Sequence, residues 1–402
     1  MVIFAIAALA GFGKFLIYAH LLSPLHFGTF TFAVIVTAVC SYFSTAGLLE
    51  GLSSRVPIMI GKREDTLEAR SSGFFGAVFA SVIFGLPIFT VISFWGHQVS
   101  SLYLMFCLSV FFVNTIVLSA TMIDLQVRGL SMEYALVLML KNISAPLIAV
   151  LFSKNSTAEH VLLAETLGMV ICIILCFTVW CRDIKIKQFK FKKAQPFIAI
   201  GLPFTANSLL LNLSNNIDRW AVHLIFGATT LGTYSFALNF ASLGHMVLNM
   251  IQLYAGPRML SKFGKTNNIS IISSQCKGIA ILTLFIFGLG SIPTFIFFPI
   301  AVETWFPEYT ASIELLKLVY VGAAASAIGF SDIIFRAIGK GQPLVLIQFS
   351  ALISGLLACL IAYFTEMPVY TFALIFTCTR IFSTVFGWGL ALRNLNNTSK
   401  RS

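Results

Sequence analysis

Apolar runs long enough to cross a lipid bilayer recur along the whole chain, separated by short polar stretches. About 20 apolar residues in a helix cross the hydrocarbon core. The pattern gives twelve such spans: 2–22, 27–49, 73–95, 99–123, 133–152, 160–181, 197–225, 230–256, 275–300, 311–335, 342–364 and 369–392. Alternation of apolar and polar residues over roughly ten positions is not seen, so a closed β-barrel is not expected. Spans seven and eight flank the short turn Gly227–Gly232, and each carries a polar stripe. On the first, Ser208, Asn212, Asn215 and Arg219 recur at steps of four, three and four. On the second, Ser235, Asn239, Ser242, His245, Asn249 and Gln252 recur at steps of three or four. Both spacings place the polar groups on one helix face. Such a face on a membrane helix should turn to protein or to a water-filled cavity rather than to lipid.

Composition agrees. Of the 402 residues 58% are hydrophobic and only 10% charged, and the mean hydropathy is +0.92, where soluble domains carry about 25% charged residues. The expected fold is an all-α integral membrane protein of about twelve transmembrane helices. A net charge of +11 would suggest nucleic acid in a soluble protein. Here alternate loops and the C-terminal tail hold twenty of the Lys and Arg residues, while the opposite loops hold Lys154 alone. The positive-inside rule explains that bias without nucleic acid and puts both termini and the 182–196 segment in the cytoplasm. The eight cysteines lie mostly within spans and form no CxxC pattern or Cys/His cluster. They read as small apolar fillers, with no disulfide, metal site or cofactor. The N-terminal run lacks a basic leader and a small-residue cleavage site, so it reads as a retained first helix.

Charged residues inside spans include Lys14, Lys141, Arg219, Lys317 and Arg380, with Glu165, Asp218 and Glu314. Each costs on the order of 2.5–3.5 kcal/mol to insert, so each needs a partner or water. Glu314 and Lys317, three apart, read as a local pair, and Lys141 as a partner for Glu165 on the next helix. Lys14 and Arg219 have no acid nearby in sequence except Asp218, which as the neighbour of Arg219 points to another face. They are the candidates for lining an anion-binding cavity.

The halves repeat. Gly28-Thr-Phe-Thr-Phe-Ala33 answers Gly232-Thr-Tyr-Ser-Phe-Ala237 at an offset of 204, Ser53–Arg55 answers Ala255–Arg258 at nearly the same offset, and Asp124-x-x-x-Arg128 answers Asp332-x-x-x-Arg336 at 208. That offset covers six spans, an even number, so the halves run parallel across the membrane with substrate expected between them. The domains expected are an N-lobe at 1–181, a basic linker at 182–196 and a C-lobe at 197–402. The basic segment sets topology, and its lysines can also contact anionic lipid headgroups.

Ala19-His-Leu-Leu-Ser-Pro-Leu-His-Phe-Gly28 resembles the opening motif of polysaccharide-export flippases, the Wzx-type O-antigen transporters of the MATE-like MOP exporter superfamily. Gly201-Leu-Pro, Asp218-Arg219 and Leu231-Gly-Thr-Tyr-Ser are similar as well. His20 departs from the family's usual Arg. The resemblance covers essentially the whole chain. It implies a non-enzymatic flippase in the bacterial inner membrane. Its substrate would be an undecaprenyl-pyrophosphate-linked oligosaccharide, the repeat unit of a surface polysaccharide or lipopolysaccharide O-antigen, carried from the cytoplasmic to the periplasmic leaflet.

It also implies a cavity lined by helices one, two, seven and eight, which would bring Lys14 and Arg219 beside Ser208, Asn212, Asn215, Asn239, His245, Asn249 and Gln252. Fixed cations would hold the pyrophosphate and the neutral groups the sugars. Asp218 or Glu165 would bind a coupling H⁺ or Na⁺, and His245 titrates near neutrality. Partners would be membrane lipids and the polymerase and chain-length machinery.

Three rivals weigh against this reading. A MATE-type exporter of cationic drugs needs acids to dominate its cavity, yet here five intramembrane bases face three acids. A polysaccharide polymerase needs a large outer loop, and the longest here is about ten residues. A primary pump would carry a Walker motif, and none is present.

Overall fold

The computed structural model describes residues 2–61, 63–97, 102–151, 156–242, 259, 269–329, 334–335 and 342–399. Among them every regular element is a helix. The chain forms α1 (Val2–Leu21), α2 (Pro24–Ser44), α3 (Leu48–Gly61), α4 (Leu67–Ala80), α5 (Leu86–His97), α6 (Leu102–Val127), α7 (Ser131–Leu151) and α8 (Ala158–Leu175). After them come α9 (Phe191–Ala241), α10 (Ile269–Trp305), α11 (Ser312–Ala327), α12 (Gln342–Phe364) and α13 (Val369–Ser399). Nine helical segments among the described residues are long and apolar enough to cross a membrane. Among the described residues the predicted spans fall on helices, apart from a break in span two, and the α4–α5 span is continuous through a π-helical turn at Ser81–Gly85.

Spans seven and eight merge into α9, interrupted at a single residue. Gly227 has φ 84° and ψ −179°, a region open in practice only to glycine. The turn predicted at 227–232 is thus one residue of broken helix. The second predicted span also differs from expectation. Helix α2 stops at Ser44, Ala46 and Gly47 take positive φ of 49° and 82°, and α3 restarts at Leu48. Span two is a discontinuous helix rather than a plain one ending at residue 49.

By its own contacts the chain falls into two compact units, Val2–Asn212 and Leu213–Ser402. The division lies inside α9, not in the 182–196 segment. The reason is close backbone packing: a methyl group on Gly201 would collide with the Gly47 carbonyl oxygen, and one on Gly51 with that of Phe197. Only glycine lets α9 and α3 approach so closely, and this contact ties the first half of α9 to the first unit. Within that unit α1 packs along α7, α7 along α8, and α8 along α6.

The basic segment is fastened to the same unit. Arg70 grips Asp124 with both its Nε (2.6 Å) and Nη2 (2.9 Å) and reaches Asp183 with Nη1 at 2.8 Å. Arg128 pairs with Asp124 at 3.1 Å and donates to the Trp180 carbonyl at 2.8 Å. Ser71 donates to Gln188 at 2.9 Å, and the Lys190 amide donates to Ser72 at 3.0 Å. Cys181 sits beneath this network, its thiol directed at Asp124 Oδ2 at 3.6 Å. The repeat motif Asp124-x-x-x-Arg128 is therefore a structural clasp; Asp332 and Arg336 lie outside the described residues. All eight cysteines are free, and seven are buried.

In the second unit α11 and α12 both pack on α13, and α10 packs on α11. Its aromatic core gathers Phe236, Phe240, Phe298, Phe306 and Tyr309.

Candidate functional site

Besides the Arg70–Asp124 clasp, each unit holds a charge cluster buried among its helices, as far as the described residues show. In the first, Lys14 on α1 forms a 2.7 Å ion pair with Glu165 on α8, whose side chain is 3% exposed. Tyr18, one turn along α1 from Lys14, donates its hydroxyl to the same carboxylate at 2.9 Å. Lys141 on α7 lies within electrostatic reach of both Lys14 and Glu165. The expectation that Lys14 lacks an acidic partner is therefore corrected: α1 and α8 supply one from distant parts of the chain. Lys141, the partner expected for Glu165, is the outer member of the group. The cluster carries two cations on one carboxylate.

In the second unit Asp218 on α9 is fully buried. Its Oδ2 accepts a 2.6 Å hydrogen bond from Tyr234 across the Gly227 break, and its Oδ1 has no hydrogen-bond partner. The neighbouring half-buried Arg219 extends Nη1 toward Asn216 and Nη2 toward Asn239, each at 3.5 Å, while its Nε is unpaired. Arg380 on α13, 5% exposed, donates to the Asn215 side chain and, at 2.6 Å, to the Ser214 carbonyl. It also stands over the Phe376 ring, 5.2 Å from its centre. Ser214 in turn donates to Gln348 at 3.3 Å. Here too two cations attend one carboxylate, with donor capacity left over.

The structure thus brings Arg219 together with Asn239, and Asn215 with Arg380. Asn212 lies half-buried at the end of the first unit. Ser208 is engaged within that unit, donating to Glu50 at 3.1 Å. His245, Asn249 and Gln252 lie outside the described residues. Sequence reasoning left out Glu50, Tyr18 and Tyr234, and it noticed Arg380 without placing it. For Arg380 the signal was present, a base in an apolar run; for the tyrosines only their spacing near Lys14 and Asp218 hinted at a role. Among the described residues no group of three His, Cys, Asp or Glu could hold a metal.

The helical fold of the described residues is that of MATE-family and other MOP-superfamily transporters. The chain is similar to an inward-facing MATE-family transporter at TM-score 0.76 and 14% identity, covering 100% of this chain and 96% of that one. It is similar to an outward-facing one at TM-score 0.73 and 15% identity, over 100% and 97% of the two chains. A Pyrococcus furiosus MOP-superfamily transporter, described by the reverse polarity of its binding pocket, matches at TM-score 0.73 and 14% identity over 98% and 95%. No curated protein sequence matches. The family model for polysaccharide biosynthesis proteins matches residues 1–259, and the chain belongs to that family. It is a multi-pass membrane transporter.

Proposed function

We propose that this protein flips an undecaprenyl-pyrophosphate-linked oligosaccharide from the cytoplasmic to the periplasmic leaflet of the bacterial inner membrane, with both termini in the cytoplasm. Alternating access coupled to H⁺ or Na⁺ would drive it. The observation that carries the reading is the excess of fixed cation: Lys14 and Lys141 against Glu165 in one unit, Arg219 and Arg380 against Asp218 in the other. A pyrophosphate leaving the headgroup region needs such cations where water does not screen them. The amides of Asn215, Asn216 and Asn239 around Arg219 and Arg380 suit sugar hydroxyls.

The rival is a MATE-type exporter of cationic drugs, to which the structural neighbours lend weight. It needs the opposite sign of charge. The reversed pocket polarity named for the Pyrococcus furiosus relative supports the view that this fold also serves other cargo.

The deciding experiment deletes the gene, extracts lipid-linked oligosaccharides and examines the surface polysaccharide. Accumulated single repeat units with loss of surface polymer, reversed by the wild-type gene, are expected. Unchanged glycolipid with new drug sensitivity would transfer the protein to the exporter class. Arg219→Ala should reproduce the deletion while the protein still inserts, and Arg219→Lys should retain partial transport.

A further inference from the structure

The break in the second span carries a carboxylate that neither the family nor the buried clusters account for. Glu50 stands in the first turn of α3, just past the left-handed pair Ala46–Gly47. Its carboxylate accepts the 3.1 Å hydrogen bond of Ser208, a residue deep within the α9 span, and it lies within electrostatic reach of Tyr42. Gly201, Thr205 and Ser208 recur at steps of four and three, so they share one face of α9. Gly201 on that face abuts the broken backbone at Gly47 and Gly51. Between it and Ser208, Thr205 is 6% exposed, yet its hydroxyl has no hydrogen-bond partner. A buried hydroxyl without a partner destabilises the fold unless something binds it. Interrupted membrane helices are where backbone carbonyls and carboxylates hold small coupling ions in transporters generally.

We propose that Glu50, Thr205 and Ser208, with the interrupted backbone at Thr45–Gly47, form a binding site for a monovalent cation, H⁺ or Na⁺, on the Glu50 carboxylate. The site needs no oligosaccharide, so it stands or falls apart from the flippase reading. Loading it changes the acceptor that Ser208 sees, and with it the hold of α3 on the first half of α9.

The test uses the purified full-length protein reconstituted in lipid vesicles without substrate. One measurement is displaceable ²²Na⁺ binding. The other is the infrared carboxylic-acid band that appears on acidification. Saturable ²²Na⁺ binding that Glu50→Gln abolishes assigns the site to sodium. A protonated-carboxyl band lost in Glu50→Gln, without sodium binding, assigns it to the proton. Thr205→Val should weaken either ligand roughly 3- to 10-fold, the value of one hydrogen bond, and serves if Glu50→Gln does not fold. Wild-type sodium binding and an unchanged carboxyl band in a folded Glu50→Gln, or in Thr205→Val where Glu50→Gln fails to fold, would overturn the proposal.

Discussion

The two buried clusters are built from the same parts in reversed positions. In the first unit α1 brings the cation, Lys14, and α8 brings the acid, Glu165. In the second unit α9 brings the acid, Asp218, and the last helix brings the cation, Arg380. Lys14 and Asp218 are 204 residues apart, the same offset that relates Gly28 to Gly232. Each acid also accepts a tyrosine hydroxyl, from Tyr18 and Tyr234 respectively. The difference lies in closure. Glu165 is bonded directly by a lysine, whereas among the described residues Asp218 has only the longer-range influence of Arg219 and Arg380, and the guanidinium of Arg380 is spent on Asn215 and Ser214. The first cluster reads as a closed structural pair. The second keeps an unbonded carboxylate oxygen and an unbonded Arg219 nitrogen, the more open chemistry for a ligand.

The strongest way to break this contrast is Glu165→Ala. It strands Lys14 and Lys141 in the protein interior, and removing one partner of a buried pair costs about 3–5 kcal/mol. Thermal unfolding of the purified protein should fall accordingly; an unchanged midpoint would mean that Glu165 is not the keystone of the first unit. The tyrosines sharpen the comparison next. Tyr234→Phe removes the one side-chain hydrogen bond of Asp218 among the described residues, whereas Tyr18→Phe leaves Glu165 its lysine. Hydrogen bonds to charged groups contribute about 1.5–3 kcal/mol, so the second-unit variant should sit at the upper end and the first-unit variant at the lower.

A smaller effect is expected for Asp218→Asn, about 1 kcal/mol, because an amide oxygen can still accept from Tyr234. If it destabilises as much as Glu165→Ala, Asp218 has an ionic partner and the asymmetry fails. Smallest of all is Lys317→Ala. Its 2.7 Å pair with Glu314 has both side chains more than half exposed, and such pairs contribute about 0–1 kcal/mol. It provides the baseline for the other four variants.

What the sequence made legible follows from what periodicity can report. The helical spans, the break at Gly227 and the Glu314–Lys317 pair all depend on residues close in sequence, and the described residues show the pair, the break and nine membrane-length helical segments. Helical spacing put Asn215 and Arg219 on one face, and in the structure they meet Arg380 and Asn239 respectively. It could not say which helix such a face would meet. Lys14 therefore looked unpaired, although α8 brings Glu165 to it from 151 residues away. Glu50 was hidden for a different reason. It follows an apolar run without interruption, so it read as the polar end of a span, and only the left-handed backbone at Ala46–Gly47 reveals that another helix begins there.

The glycine contact between α3 and α9 also has a meaning in time. A ribosome adds about 5–20 residues per second, and Gly201 and Asn212 are made well after the eighth helix is finished. The first unit therefore waits roughly 2–6 s, from residue 181 to residue 212, with the groove at Gly47 and Gly51 unfilled. Until then Gly47 and Gly51 lack the backbone of Phe197 and Gly201 that covers them in the finished protein. A chain stalled at residue 181 would hold every earlier helix and still be unfinished, whereas one stalled past residue 212 would carry the piece that closes it.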